Sequence, residues 1–370
     1  MSTSNTIDLV FSGEKSGYGR SHSEQSSLLE KRLIDLYGAN KCIVLPSGMS
    51  AITTAIEGIL LYLAPNNVTI LYDEELYCDT PRAFDMLRMI YTPRISLICS
   101  DLSNAKILEE TIIGLLQKDQ YIIVFAETAS NPSGRIFAFN AIYNIVQLTK
   151  KSKIRNHLRY VIDNTWISSV GCNPFNINPN IDLVVTSLTK YYSGGSAMGG
   201  AIMCRDSCVM KYVHQWYKTH GIHTSPHDID IINQNIVSIT ERVKETGPIT
   251  MEIMKRLVEK NIKVIHPCLP SHPNYRQTIK YISDAPSVFA VDCACLDTQK
   301  IFDTFKKYCP NMSIKTSYGG KESRLDPYPK LHQTDDGTKF MRIRISIGYL
   351  NPNVEELSRT ILSALDELNK

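Results

Sequence analysis

The chain reads as an α/β protein whose sheet is mostly parallel, followed by a smaller α+β region. Two patterns carry that reading. Short, continuous apolar runs end in polar turns, residues 121–126 before Glu127-Thr128-Ala129-Ser130-Asn131-Pro132 and residues 181–186 before Ser187-Leu188-Thr189-Lys190. Strands buried on both faces look like this when helices cover the sheet. From about Asn233 the pattern becomes amphipathic helix to Lys260, then alternating strand, as at residues 341–348, where one sheet face is buried. The expected organisation is an arm and helix over residues 1–40, an α/β domain over 41–235 and an α+β domain over 236–370.

The 370 residues carry 40 basic and 37 acidic side chains. That near balance gives no electrostatic case for nucleic acid as a partner. The basic stretch at 150–159 reads as a solvated helix end before a buried strand. The first residues lack a basic and apolar leader, and no apolar run approaches the roughly 20 residues that cross a bilayer, so a soluble cytoplasmic protein with no membrane partner is expected. The 10 cysteines are scattered without a CxxC pair and read as reduced thiols. His220, His223 and His227 have helical spacing, but Gly221 and Pro226 interrupt it, and no metal site is expected.

In chain order, residues 1–24 are too polar to pack as a core and form an arm. Within it, Tyr18-Gly19-Arg20 either reaches a phosphate or has no role. Residues 25–37 place Leu28, Leu29, Leu33 and Leu36 on a helical stripe that Gly38 ends. A strand at 42–45 runs into Pro46-Ser47-Gly48-Met49-Ser50 and a helix to about residue 63. This is an ordinary βα turn or an anion site made of free amides and the helix dipole. The strand at 68–72 precedes Tyr77, which stacks on a planar ring or is simply half-buried. The strand at 160–162 ends in Asp163-Asn164-Thr165; its carboxylate either caps a turn or pairs with a protonated pyridine nitrogen. Strands at 264–265 and 287–292 and helices at 298–308 and 354–368 follow.

Ser187, Thr189 and Lys190 then matter together. A lysine beside two hydroxyls, released into a glycine-rich loop at a strand's carboxyl edge, has the parts to hold an aldehyde as an imine beside a phosphate. It is read as a pyridoxal 5'-phosphate (PLP) site, against the plain alternative of a solvated surface lysine.

The series Y-x-R (Tyr18, Arg20), S-G-M (Ser47 to Met49), Y-x-x-T (Tyr77, Thr80), E-T-x-x-N-P (from Glu127), D-N-T (from Asp163), S-x-T-K (to Lys190), S-H-P (from Ser271), S-x-G-G-x-E-S (from Ser317) and R-x-S-x-G (from Arg344) runs in order. On these motifs the chain resembles the Cys/Met-metabolism PLP enzymes, the transsulfuration group of cystathionine γ-synthase, the cystathionine lyases and methionine γ-lyase, from about Tyr18 to the C-terminus. The resemblance implies PLP-dependent transferase fold type I, aspartate aminotransferase-like. It implies that Lys190 binds the cofactor and then moves protons, that Asp163 pairs with the ring nitrogen, and that Gly48, Met49, Ser187 and Thr189 hold the phosphate. Tyr18 and Arg20 would come from the neighbouring subunit of a homodimer or homotetramer with shared active sites. Tyr77 would stack on the ring and assist the leaving group, Asn131 would sit by the ring oxygen and the substrate, and Arg344 would bind the amino-acid substrate's carboxylate with Ser317 beside it.

The chain departs from the group in ways that bear on substrate. After the lysine motif it has Gly194-Gly195-Ser196-Ala197 where the family has G-H-S-D, and it is one residue shorter. Thr316 stands where many γ-acting members have Glu. Tyr318 resembles the bulky aromatic of β-lyases, and Asp79 adds a carboxylate two residues past Tyr77 that would face the substrate's distal end. The implied activity is β- or γ-elimination or replacement on a substituted L-amino acid such as cystathionine or an O-activated homoserine, within methionine metabolism. The rivals are a fold-type I aminotransferase and a PLP-fold protein that only binds.

Overall fold

The computed structural model describes residues 23–149, 156–205, 207–350 and 352–370. They form two compact units. One contains the residues up to Asn131, Arg135–Thr189 and Ala197–Gln234; the other contains Pro132–Gly134, Lys190–Ser196 and Asn235–Lys370. Among the described residues no helix is long and apolar enough to cross a membrane.

In the first unit, helix α1 (Glu24–Tyr37) starts where the Ser23 hydroxyl accepts the Ser26 amide and stops at Gly38, whose φ of 57° suits glycine. The sheet comprises β1 (Lys41–Leu45), β2 (Val68–Asp73), β3 (Ile95–Ser100), β4 (Tyr121–Glu127), β5 (Leu158–Asp163), β6 (Leu183–Ser187) and β7 (Gly200–Cys204). Its spatial order is β1-β7-β6-β5-β4-β2-β3. Neighbours are parallel except on both sides of β7, which runs against β1 and β6. The longer helices of the unit are α2 (Gly48–Tyr62), α3 (Asp79–Ile90), α4 (Ala105–Leu116), α5 (Phe139–Thr149), α6 (Ser207–Thr219) and α7 (Pro226–Ile236), apart from the end of α7, and two short helical turns lie at Ser168–Gly171 and Pro174–Ile177. The α2 face of Ala51, Ile52, Ala55, Ile56 and Ile59 is buried, each large side chain contributing about 1.5–3 kcal/mol. At Gly58 an added Cβ would lie 2.6 Å from the Val213 backbone, so only glycine lets α2 and α6 approach this closely.

The second unit has a sheet of β8 (Val264–Ile265), β9 (Val288–Cys293), β10 (Ser313–Ile314), β11 (Arg324–Leu325), β12 (Lys330–Gln333) and β13 (Lys339–Ser346). The strands run β10-β11-β13-β9-β8, with β12 also on β13. Along β13, Met341, Ile343 and Ile345 are buried while Arg342 and Arg344 lie on the other face, the expected alternation. Helices α8 (Ile239–Glu259), α9 (Tyr275–Tyr281), α10 (Thr298–Tyr308) and α11 (Val354–Leu368) accompany it.

The single helix expected over residues 233–260 is two, α7 and α8. Arg242 stabilises the break by donating to the Asn235 carbonyl at 2.7 Å and to the Ser238 hydroxyl at 3.1 Å, partners for carbonyl and hydroxyl groups that a continuous helix would not present there. The strand β3 was not anticipated, because it pairs only with β2 at the sheet edge and is only partly buried.

His266 is fully buried; its Nε2 lies 3.1 Å from the Pro286 carbonyl, and its Nδ1 accepts the Cys268 amide. Burial pushes its pKa down to about 3 from 6.5. The folded form therefore binds fewer protons than the unfolded chain below pH 6.5, and stability is lost as pH falls through that window. Between pH 6.5 and 4.5 the loss from this group is about 2 kcal/mol. Urea unfolding at those two values should show a slope that His266→Gln largely removes; an unchanged slope in the variant contradicts the assignment.

Candidate active site

Three strand ends meet at one place in the first unit. Leu45 of β1 and Ser187 of β6 both pair with Gly200 of β7. A Cβ on Gly200 would lie 2.1 Å from the Ser47 carbonyl oxygen, and a Cβ on Gly48 would lie 2.8 Å from the Ser187 Cβ. The two glycines therefore seat the start of α2 directly against the end of β6. Ser47 caps the helix by accepting the Ser50 amide at 3.0 Å, which leaves the amides of Gly48 and Met49 among those without an intrahelical acceptor. The Ser187 amide donates to the Thr165 hydroxyl at 2.8 Å, and the Ser187 hydroxyl faces Gly48. Free amides, a helix N-terminus and a hydroxyl in a cradle that a methyl group would fill fit a phosphate. The Thr189 hydroxyl accepts the Gly199 amide at 3.1 Å and donates to its carbonyl at 3.3 Å, so it also closes the loop that returns to β7.

One strand over, Asp163 ends β5 and is 7 % exposed. Its Oδ1 accepts the Thr165 amide at 2.8 Å. A buried carboxylate at the carboxyl edge of a parallel sheet suits a protonated pyridine nitrogen. Asn164 does structural work that sequence reasoning missed. It accepts the Thr128 hydroxyl at 2.7 Å and donates to the Tyr37 hydroxyl and the Cys172 carbonyl, tying β4, β5 and α1 together.

Tyr77 and Asn131 lie on two adjacent loops. Arg135 bridges these loops through Asp73 at 3.1 Å and Glu74 at 2.6 Å. Ser130 donates to Glu75 at 2.6 Å, and the Tyr77 amide donates to Glu127 at 2.6 Å. Burial pushes Asp73 up to about 6 despite Arg135. The Tyr77 side chain is left 41 % exposed. Asp79, the first residue of α3, forms an exposed ion pair with Arg82 at 3.0 Å.

In the second unit the chain continues from Thr189 into Lys190, whose amine donates to the Ser317 hydroxyl at 3.0 Å. Ser317 has a φ of 87°, a left-handed conformation that costs a serine on the order of 1–3 kcal/mol and clusters at functional sites. The Lys190 amine lies 5.4 Å from the centre of the buried Tyr318 ring, and the Arg344 guanidinium lies 5.7 Å from it. Arg344 is ion-paired with Asp326, which the Thr316 hydroxyl approaches at 3.4 Å. Tyr318 is thus a plate touched by both cations, and Thr316 is directed to Asp326. The altered loop packs by virtue of two left-handed glycines, Gly194 and Gly195; a Cβ on Gly194 would lie 2.8 Å from the Tyr349 hydroxyl. Tyr18 and Arg20 lie outside the described residues. His220 stacks on Trp216, and His223 contacts the Tyr217 hydroxyl at 2.7 Å.

This α/β sheet, with a phosphate cradle, a buried carboxylate one strand away and a lysine directly after the cradle's hydroxyls, defines a PLP-dependent enzyme of fold type I. The chain belongs to the Cys/Met metabolism PLP-dependent enzyme family, whose model matches residues 3–361. It is 24% identical over 352 residues to an L-alanine/L-glutamate racemase of Wolbachia pipientis wMel, covering 92% of this chain and 80% of the relative. It is 25% identical over 382 residues to the cystathionine gamma-lyase of Mus musculus, covering 98% and 90%. A solved cystathionine gamma synthase from Xanthomonas oryzae pv. oryzae in complex with cystathionine superposes with a TM-score of 0.78 at 22% identity, covering 95% of this chain and 88% of that one.

Replacing Gly48 by Ala should force the start of α2 away from Ser187 and lower PLP affinity at least tenfold. Fluorescence titration of the apo-protein with PLP measures this, and unchanged affinity would place the phosphate elsewhere.

Proposed function

We propose that the protein catalyses β- or γ-elimination or replacement on a substituted L-amino acid, cystathionine or an O-activated homoserine, in methionine metabolism. The observation that supports this best is the setting of Lys190, whose amine is held by a strained serine and shares the Tyr318 plate with Arg344. When bound, PLP supplies an electron sink that acidifies the hydrogens at Cα of an amino acid attached to it. The chain's own residues divide the remaining work. Lys190 would hold the cofactor and, when its amine is free, would move protons between Cα, Cβ and the leaving group, with Ser317 holding that amine between transfers. Asp163 keeps the ring nitrogen charged. Gly48, Met49, Ser187 and Thr189 hold the phosphate, joined by Tyr18 and Arg20 from a second copy of the chain in a homodimer or homotetramer. Tyr77 would stack on the cofactor ring and assist departure of the leaving group, and Asn131 would lie by the ring oxygen.

Arg344 takes the substrate carboxylate through its guanidinium fork, oriented by Asp326. Thr316 in place of the Glu of many γ-acting members, and the aromatic Tyr318 that resembles that of β-lyases, favour the β-acting end of the range. Asp79 supplies a negative charge toward the distal end of the substrate and favours a distal ammonium over a succinyl ester. We place the protein in the cytoplasm.

Purified, PLP-loaded protein should release a keto acid and ammonia from cystathionine, or form a new thioether from an acetyl ester and a thiol. Lys190→Ala should abolish either reaction. Transfer of the amino group to a keto acid, or racemisation of alanine without bond cleavage, would overturn the proposal. Arg344→Lys should raise KM ten- to a hundredfold while leaving the PLP spectrum intact, consistent with about 1.5–3 kcal/mol for a charge-assisted fork that lysine cannot reproduce. A loss confined to the spectrum would make Arg344 a cofactor ligand instead.

A further inference from the structure

Glu127 opens the E-T-x-x-N-P motif, and nothing in the proposed chemistry uses it. It ends β4, is 9 % exposed, and is the register partner of Asp163 on the adjacent parallel strand. Paired residues of neighbouring strands project from the same face about 4.8 Å apart. Its Oε1 accepts the Tyr77 amide at 2.6 Å. Tyr77 is 41 % exposed while Leu76 beside it is buried, so the hydrogen bond from the Tyr77 amide is a fixed point from which its side chain projects. We propose that Glu127 is the positioning residue for Tyr77, holding its backbone amide through one carboxyl oxygen while remaining a neutral acid beside the charged Asp163.

The surroundings require the neutral form. Asp163, Asp73 and Glu75 all act on Glu127 as like charges. Arg135 is committed to Asp73, Glu74, Glu75 and Asp101. Burial first, and then the Asp163 charge, push the Glu127 carboxyl well above the usual carboxylate range. Two ionised carboxyls this close in a buried setting are disfavoured. The proton falls to Glu127, since Asp163 would have the pyridine nitrogen of bound PLP as a cationic partner and Glu127 would not. A neutral acid still offers its carbonyl oxygen to the Tyr77 amide.

The inference rests on Tyr77 being the ring-stacking residue, and the experiment separates the two claims. Glu127→Ala and Glu127→Gln are compared in hydrogen exchange of the peptide containing the Tyr77 amide, in PLP absorption and in kcat/KM. Glu127→Ala should speed that exchange at least tenfold and lower kcat/KM at least thirtyfold with the absorption band retained. Glu127→Gln, which keeps the acceptor and carries no charge, should recover most of both losses. Wild-type exchange in Glu127→Ala overturns the anchor, and a Gln variant as impaired as the Ala variant overturns the neutral acid. Faster exchange without loss of turnover, with Tyr77→Ala equally silent, upholds the anchor and overturns the stacking role.

Discussion

The close approach of Gly200 to the Ser47 carbonyl is the constraint on which the cradle proposed for the cofactor phosphate depends. A single methyl group there would meet the carbonyl at 2.1 Å, well inside van der Waals contact. Because β7 runs against both β1 and β6, this approach brings the end of β1 and the end of β6 to the same level. The helix dipole of α2 and the hydroxyl of Ser187 then act on one small volume. Everything said of the phosphate follows from that geometry, and the order of the remaining parallel strands puts Asp163 one step away.

Charge is arranged to complement this. The end of β2 and the loop beyond it carry Asp73, Glu74 and Glu75 around Arg135, and Glu127 at the end of β4 holds the Tyr77 amide. Most of these acids are satisfied by the arginine or by backbone amides, so the cluster works as a clamp between two loops more than as a field. In the second unit the same economy holds for Arg344. Its pairing with Asp326 fixes a flexible side chain in place, which would lower the ordering cost of binding if Arg344 takes the substrate carboxylate as proposed.

Much of this was legible in the sequence. The apolar runs gave β2, β4, β5 and β6 within a few residues because a strand buried on both faces leaves an uninterrupted signal. The helices at 298–308 and 354–368 were placed at the bounds the structure gives them, where Asp297 and Asn353 cap their first turns. The edge strand β3 was not legible, since partial burial dilutes its pattern. Nor was the break between α7 and α8, because it depends on Arg242 reaching back to Asn235, a contact that no local spacing encodes. Among site residues, Lys190, Ser187 and Asp163 stood out by residue type at strand ends. The roles of Asn164 and Glu127 did not, because their partners Tyr37, Cys172 and Tyr77 are distant in the chain. The Asp326 partner of Arg344 was hidden for the same reason.

The central claim is that one particular amine, Lys190, carries the cofactor. Reducing the PLP-loaded protein with borohydride fixes the cofactor to whichever lysine holds it, and peptide mass mapping then identifies that residue. The account predicts a single pyridoxyl-modified peptide containing Lys190. A label on another lysine, or none at all, would contradict it.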